Sequence, residues 1–130
     1  VLLHGGSIPI NRAEPSPSSI KTAIDVLRRG EIILIFPSGT RRGETAAFKR
    51  GAATVALHAG VPLVPAYYQG PKYMHLAHVM HRPRIRVMFG APIPTMLLPP
   101  GKETAAVLTR QLQTAISELR SVANSDLAAA

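Results

Sequence analysis

Between Pro37 and Arg42 the chain reads Pro-Ser-Gly-Thr-Arg-Arg, a set of groups suited to capturing phosphate. An Arg guanidinium is planar, permanently charged and able to grip a phosphate through two parallel hydrogen bonds, and Gly39 lets the backbone come close to a ligand. Ser38 and Thr40 add hydroxyls that can donate or accept. Taken alone, Arg41 and Arg42 also read as solvated charges on a loop, so the surrounding sequence has to decide between the two.

A second group of chemistry-bearing residues is His75, His78 and His81. Three-residue spacing turns each successive ring about 60° around a helix, and no carboxylate lies nearby, so no metal site is expected. The stretch from Tyr73 to Arg82 mixes apolar, aromatic and basic residues. It reads either as a segment resting on a lipid interface or as a plain surface loop.

These residues need elements to hold them. Ser16 followed by Pro17 is a cap-then-proline helix start, and Ile20, Ala23, Ile24 and Leu27 follow at helical spacing until Gly30. Ile32 to Phe36 is short, uniformly apolar and β-branched, the pattern of a central strand covered on both faces, and it delivers the basic turn at its end. Phe48, Ala52, Val55, Ala56 and Ala59 predict a second helix closed by Gly60. Val61 to Tyr68 is strand-like, with two prolines that make it an edge strand or an interrupted one. Ile85, Val87 and Phe89 alternate with Arg84, Arg86 and Met88, which predicts a strand with its apolar face buried. Beyond the Pro99-Pro100-Gly101 break, Ala105, Leu108, Leu112, Ala115, Leu119 and Val122 form the stripe of a long amphipathic helix. This alternation makes the chain α/β, with no internal repeat.

The 130 residues suit one domain, and 46% hydrophobic with 17% charged residues excludes a disordered chain. A net charge of +8 attracts phosphates, nucleic acid or an anionic membrane surface without choosing among them. With 3 Tyr, 3 Phe and no recognisable motif, stacking platforms for nucleic acid are scarce, so a basic nucleic-acid-binding domain is the weaker alternative. No Cys is present, which removes disulfide and thiolate chemistry. No apolar stretch approaches the roughly 20 residues that span a bilayer. The chain starts at Val1 with apolar residues that read like the inside of an element, so a preceding segment is expected.

Phe36-Pro37-Ser38-Gly39-Thr40-Arg41, then Phe48-Lys49-Arg50-Gly51-Ala52, then Val61-Pro62-Leu63-Val64-Pro65 resemble the glycerolipid acyltransferase family of 1-acylglycerol-3-phosphate acyltransferases. Gly6-Ser7-Ile8-Pro9-Ile10-Asn11-Arg12 resembles that family's Gly-to-Arg block, and the strand from Ile85 to Pro94 resembles its end. The blocks appear in the family's order. The resemblance implies a mixed sheet flanked by helices, truncated at its N-terminus, with residues 1–123 as the C-terminal portion of one acyltransferase domain and 124–130 as a flexible tail. It implies transfer of a fatty acyl group from acyl-CoA or acyl-carrier protein to lysophosphatidic acid in phospholipid biosynthesis, without a cofactor. The expected location is the cytoplasmic face of a membrane, peripheral or anchored through a segment before Val1.

By position in the family blocks, Arg12, Ser38, Gly39, Thr40 and Arg41 would form the acceptor-phosphate site, and Val61, Pro62, Val64 and Pro65 would line the acyl-donor side. Two departures qualify this. The family's His-x-x-x-x-Asp block supplies its catalytic base, yet none of the five His residues here has Asp five positions later. Catalytic residues are therefore expected upstream of Val1, and a non-catalytic phospholipid-binding homologue is the alternative. In addition, Ser38 stands where the family usually has Glu. A hydroxyl in place of a carboxylate removes one negative charge beside Arg41, giving a better anion trap but a poorer hydrogen-bond acceptor.

Overall fold

The computed structural model describes residues 17–36, 48–70 and 85–128, with side chains as far as 125. In chain order the elements are helix α1 (Pro17–Arg28), helix α2 (Gly51–Ala59), strand β1 (Ala66–Gln69), strand β2 (Arg86–Phe89) and helix α3 (Lys102–Ala128). The architecture is mixed α/β.

Helix α1 starts at Pro17, whose fixed φ suits a first helical position. It stops because Gly30 adopts a left-handed φ of 80°. The Gly30 amide then donates to Leu27 O at 3.0 Å and the Glu31 amide to Val26 O at 3.4 Å, the paired closure that satisfies two terminal carbonyls. Ala23 is buried while Ile20, Ile24 and Leu27 are half-buried, as their spacing predicts.

Helix α2 begins at Gly51, three residues after the expected Phe48, and ends at Gly60, also left-handed with φ 68°. Ala52, Ala53, Val55, Ala56 and Leu57 are all buried. A helix that is apolar on nearly every side must be covered on more than one side, and α2 lies between α1 and α3. Ala53 and Leu57 meet Ala105 and Leu108 of α3, with Leu63 and Ile93 packed against the group.

The prolines at 62 and 65 determine where strand pairing occurs. Neither has an N–H to give a ladder, so Leu63 between them makes an isolated antiparallel bridge with Ile93, through N–H···O contacts of 3.0 and 2.7 Å. Regular pairing starts only at Ala66, with Ala66 opposite Phe89 and Tyr68 opposite Val87. Pro65 still accepts, taking the Gly90 amide at 2.9 Å. A β-carbon on Gly90 would stand 3.0 Å from Pro65 Cγ and 3.5 Å from Leu119 Cδ1, so a residue without one is suited to this crossing.

Two expectations are corrected. Ile32 to Phe36 makes no strand among the described residues; Ile33 and Ile35 are half-buried, but Ile32 is 95% and Phe36 75% exposed. A uniformly apolar run suits a strand covered on both faces, and the described elements cover only one. In β2 the apolar alternation faces outward: Ile85, Val87 and Phe89 are exposed, Phe89 at 70%. The reason is that α3 packs on the opposite face, where Gln69 Nε2 donates to Ala123 O at 3.4 Å and Met88 is half-buried. Helix α3 continues to Ala128. No Gly or Pro interrupts the sequence there, and Ser125 Oγ donates to Ser121 O at 3.0 Å. The buried stripe of α3 follows Ala105, Leu108, Leu112 and Ala123, leaving Val122 exposed. A helix of 3.6 residues per turn drifts past a strict seven-residue repeat in this way.

Leu108, 1% exposed at the α2–α3 contact, is the residue whose truncation should cost most. Leu108→Ala is expected to lose about 2–5 kcal/mol, whereas Val107→Ala on the exposed side should stay within about 0.5 kcal/mol. Chemical denaturation of the two variants checks the contrast, and equal losses would contradict the packing described.

Candidate functional site

Of the predicted acceptor residues, Arg12, Ser38, Gly39, Thr40 and Arg41 lie outside the described residues, as do Arg42 and the three closely spaced His. Both stems of the basic turn are described. One is the segment from Glu31 to Phe36. The other is Phe48 to Arg50, which runs into α2 with Arg50 at the N-cap (φ −68°, ψ −5°) and no side-chain cap on the helix. The first amides of an α-helix have no acceptor within the helix, and this end carries partial positive charge. Phe48, the first described residue after the basic segment, is thus followed closely by a helix terminus that favours anions, with Lys49 and Arg50 just before it.

The opposite end of α2 is pinned. Arg28 Nη2 donates to His58 O at 3.3 Å, placing a cation at the negative end of the helix. His58 Nδ1 lies 2.9 Å from Thr54 O. Because that partner is a carbonyl, Nδ1 carries the proton in this contact. The residue is exposed, and residue 63, five positions on, is Leu.

On the donor side, the four predicted residues separate into two pairs. Val61 and Pro65 turn inward, together with Leu63, while Pro62 and Val64 are exposed. Pro65 is among the most completely buried residues of the chain. Val61 supplies its carbonyl to the Thr95 hydroxyl, which donates at 2.7 Å; Ala56 O stands 3.5 Å from the same oxygen. So the inward pair fixes the backbone and the outward pair is available to a ligand. An open groove of about 810 Å³ between Ala91–Pro94 and Val107, Gln111 and Leu119 of α3 is lined by none of the four.

Sequence reasoning missed Thr95 and Gly90. Thr95 is distinguishable in the sequence only as one hydroxyl among prolines, and its acceptor lies 34 positions away. Local patterns carry no trace of such a bond.

The sequence profile of the acyltransferase family matches residues 1–69, more than half of the chain. The chain belongs to the acyltransferase family. This acyltransferase chain is similar to the 1-acyl-sn-glycerol-3-phosphate acyltransferase of Bacillus subtilis, with 42% identity over 115 residues that cover 87% of this chain and 57% of that protein. It is similar to the enzyme of that name from Streptococcus pneumoniae, 43% identical over 89 residues, covering 68% of this chain and 32% of the relative. A chloroplastic 1-acyl-sn-glycerol-3-phosphate acyltransferase of Arabidopsis thaliana is 33% identical over 95 residues, covering 68% and 27%. The chain thus spans a little over half the length of the Bacillus relative and less of the others. No solved structure matches. No helix among the described residues is long and apolar enough to cross a membrane.

Removing the Thr95 hydroxyl while keeping its shape tests whether this bond fixes the donor-side segment. Thr95→Val leaves the Val61 carbonyl without its partner and should cost about 1–3 kcal/mol. Urea denaturation reads this, and a loss below about 0.5 kcal/mol would show that the carbonyl readily finds another donor.

Proposed function

We propose that this chain is the acceptor-binding part of a longer 1-acyl-sn-glycerol-3-phosphate acyltransferase, which esterifies lysophosphatidic acid with a fatty acyl group taken from acyl-CoA or acyl-carrier protein. The observation that carries the reading is the profile match over residues 1–69, which takes in both Arg12 and the turn containing Arg41. The names of the relatives, at up to 43% identity, supply the acceptor class. In this reading Arg12 and Arg41 hold the phosphate, Ser38, Gly39 and Thr40 shape the turn, and the uncapped start of α2 adds positive potential.

The reaction is nucleophilic substitution at a thioester. The acceptor hydroxyl oxygen attacks the carbonyl carbon, the ester C–O bond forms and the C–S bond breaks. The hydroxyl proton passes to a His base and then to the departing thiolate. That base belongs to a His-x-x-x-x-Asp block outside this chain, so the residues present contribute orientation, which converts an encounter into a positioned reaction. Exposed Pro62 and Val64 face the acyl donor while half-buried Val61 and buried Pro65 keep them in place. The fold completed by the remaining segments is a mixed sheet flanked by helices. The enzyme works at the cytoplasmic face of a membrane, where its acceptor resides. One observation favours a second reading, a non-catalytic phospholipid-binding homologue: no His in the chain has Asp five positions later.

In the full-length protein, Arg41→Ala should raise the KM for lysophosphatidic acid about ten- to a hundredfold, since a charge-assisted hydrogen bond contributes about 1.5–3 kcal/mol. An unchanged KM would remove Arg41 from the phosphate site. The 130-residue chain alone should bind glycerol 3-phosphate without transferring acyl groups to lysophosphatidic acid. Product formed by this chain would place the catalytic base within it.

A further inference from the structure

Helix α3 turns one face to the core and the opposite face to water, and the outer face is arranged symmetrically about Thr114. Arg110 lies four positions before Thr114 and Glu118 four positions after it, and all three are exposed. At 3.6 residues per turn both charges fall within about 40° of Thr114 around the helix, on the side opposite the buried Ala105, Leu112 and Ala123. Val107 and Val122, 44% and 50% exposed, stand seven positions before Thr114 and eight after it.

Neither charge is accounted for by its own helix. Exposed helical charges commonly pair with an opposite charge three or four positions away. At those distances Arg110 has Ala106, Val107, Gln113 and Thr114, and Glu118 has Thr114, Ala115, Ser121 and Val122. Neither makes an ion pair or a hydrogen bond among the described residues. Beside them runs the open groove of about 810 Å³, with Val107, Thr114, Glu118 and Val122 on one wall and Ala91 to Pro94 on the other.

A second α3 laid antiparallel across this face meets it with a complementary order of residues. A two-fold axis at Thr114 sets residues equally far before and after it opposite one another, and each contact occurs twice. Arg110 of each copy then comes opposite Glu118 of the other, which makes two ion pairs. Val107 of each copy comes beside Val122 of the other, and Glu103, the third charge on this face, comes opposite Ser125. A parallel pairing would instead set Arg110 against Arg110 and Glu118 against Glu118. The charges therefore select the antiparallel arrangement, because like-charge contacts disfavour the other.

We propose that the exposed face of α3 docks a second copy of this chain, the two helices forming an antiparallel, two-fold symmetric pair centred on Thr114. Four valines give the pair a modest apolar contact, which suits a weak and reversible dimer, and the two ion pairs fix its register. The surface includes none of Arg12, Arg41, Pro62 and Val64, so the inference stands apart from the acceptor and donor readings.

Sedimentation equilibrium of the 130-residue chain tests this. The parent should form a reversible dimer. Arg110→Glu and Glu118→Arg each turn both ion pairs into like-charge contacts, and each should weaken dimerisation at least about tenfold. Circular dichroism should stay that of the parent, since both residues are exposed. An equimolar mixture of the two variants restores opposite charges at both contacts and should form a heterodimer about as tight as the parent dimer. The chain has no Cys, so Thr114→Cys places one thiol at the axis and should give a disulfide-linked dimer on oxidation. Lys102→Cys lies about 18 Å along the helix from the axis and should not. A parent that stays monomeric up to about 1 mM, single variants that dimerise like the parent, or a mixture that stays monomeric would each overturn the proposal. Cross-linking through Lys102→Cys in place of Thr114→Cys would do so as well. Loss of the dimer with Phe89→Ser but not with Arg110→Glu would assign association to the exposed sheet face and likewise overturn it.

Discussion

The contact on which the described structure depends is the small-residue seam between α2 and α3. Ala53 and Ala105 bring the two helices close, and Leu57 and Leu108 fill the space beside them. Close packing at native density makes such a site sensitive to the loss of even a few methylenes. Leu63 and Ile93 lie against the same seam and bridge to each other. Through them the helix pair sets the path of the segment after α2 and of the segment after β2. Thr95 adds a hydrogen bond from the second segment to the first. Two stretches of chain some thirty residues apart are thus tied to one core, and the candidate donor-side residues occupy the first of them.

Elsewhere the described elements leave apolar surface open in a regular way. Residues two apart on a strand share a face, and antiparallel partners face the same way, so Tyr68, Val87 and Phe89 lie on one side of the two-stranded sheet, opposite the side that meets α3. That side is exposed and almost wholly apolar. The segment from Ile32 to Phe36 shows the same period, half-buried at 33 and 35 and exposed at 32, 34 and 36. Antiparallel sheets commonly have one face in water, but that face is then polar. Here the composition is that of a sheet covered on both faces.

This explains which parts of the fold were legible in the sequence. The helices were, because their boundaries rest on local chemistry: Pro17 at one start, left-handed Gly30 and Gly60 at two ends, and a 3.6-residue stripe through Leu108 and Leu112. The interruption of the Val61 to Tyr68 run was legible too, since proline lacks the donor a ladder needs. Which face of β2 is buried was not. Alternation shows that Ile85, Val87 and Phe89 share a side; it does not say which side α3 takes, and the answer is set by Gln69, Gly90 and Leu119 at long range. The family blocks were legible as residue types in order, while Thr95, which acts through a carbonyl far away in sequence, was not.

The five residues from Val61 to Pro65 show how one short segment can be both core and wall. Because side chains alternate along it, Val61, Leu63 and Pro65 turn to the core while Pro62 and Val64 turn out. Two prolines remove backbone freedom as well as ladder donors, and the remaining donor and acceptor of Leu63 are used by Ile93. The outward pair is consequently held by restraints that do not pass through its own side chains. A surface of this kind can meet a flexible apolar chain without first paying to become ordered, which lowers the entropic cost of binding. Val64 can then vary in size to suit a ligand while Pro65, packed against Gly90, has to stay as it is.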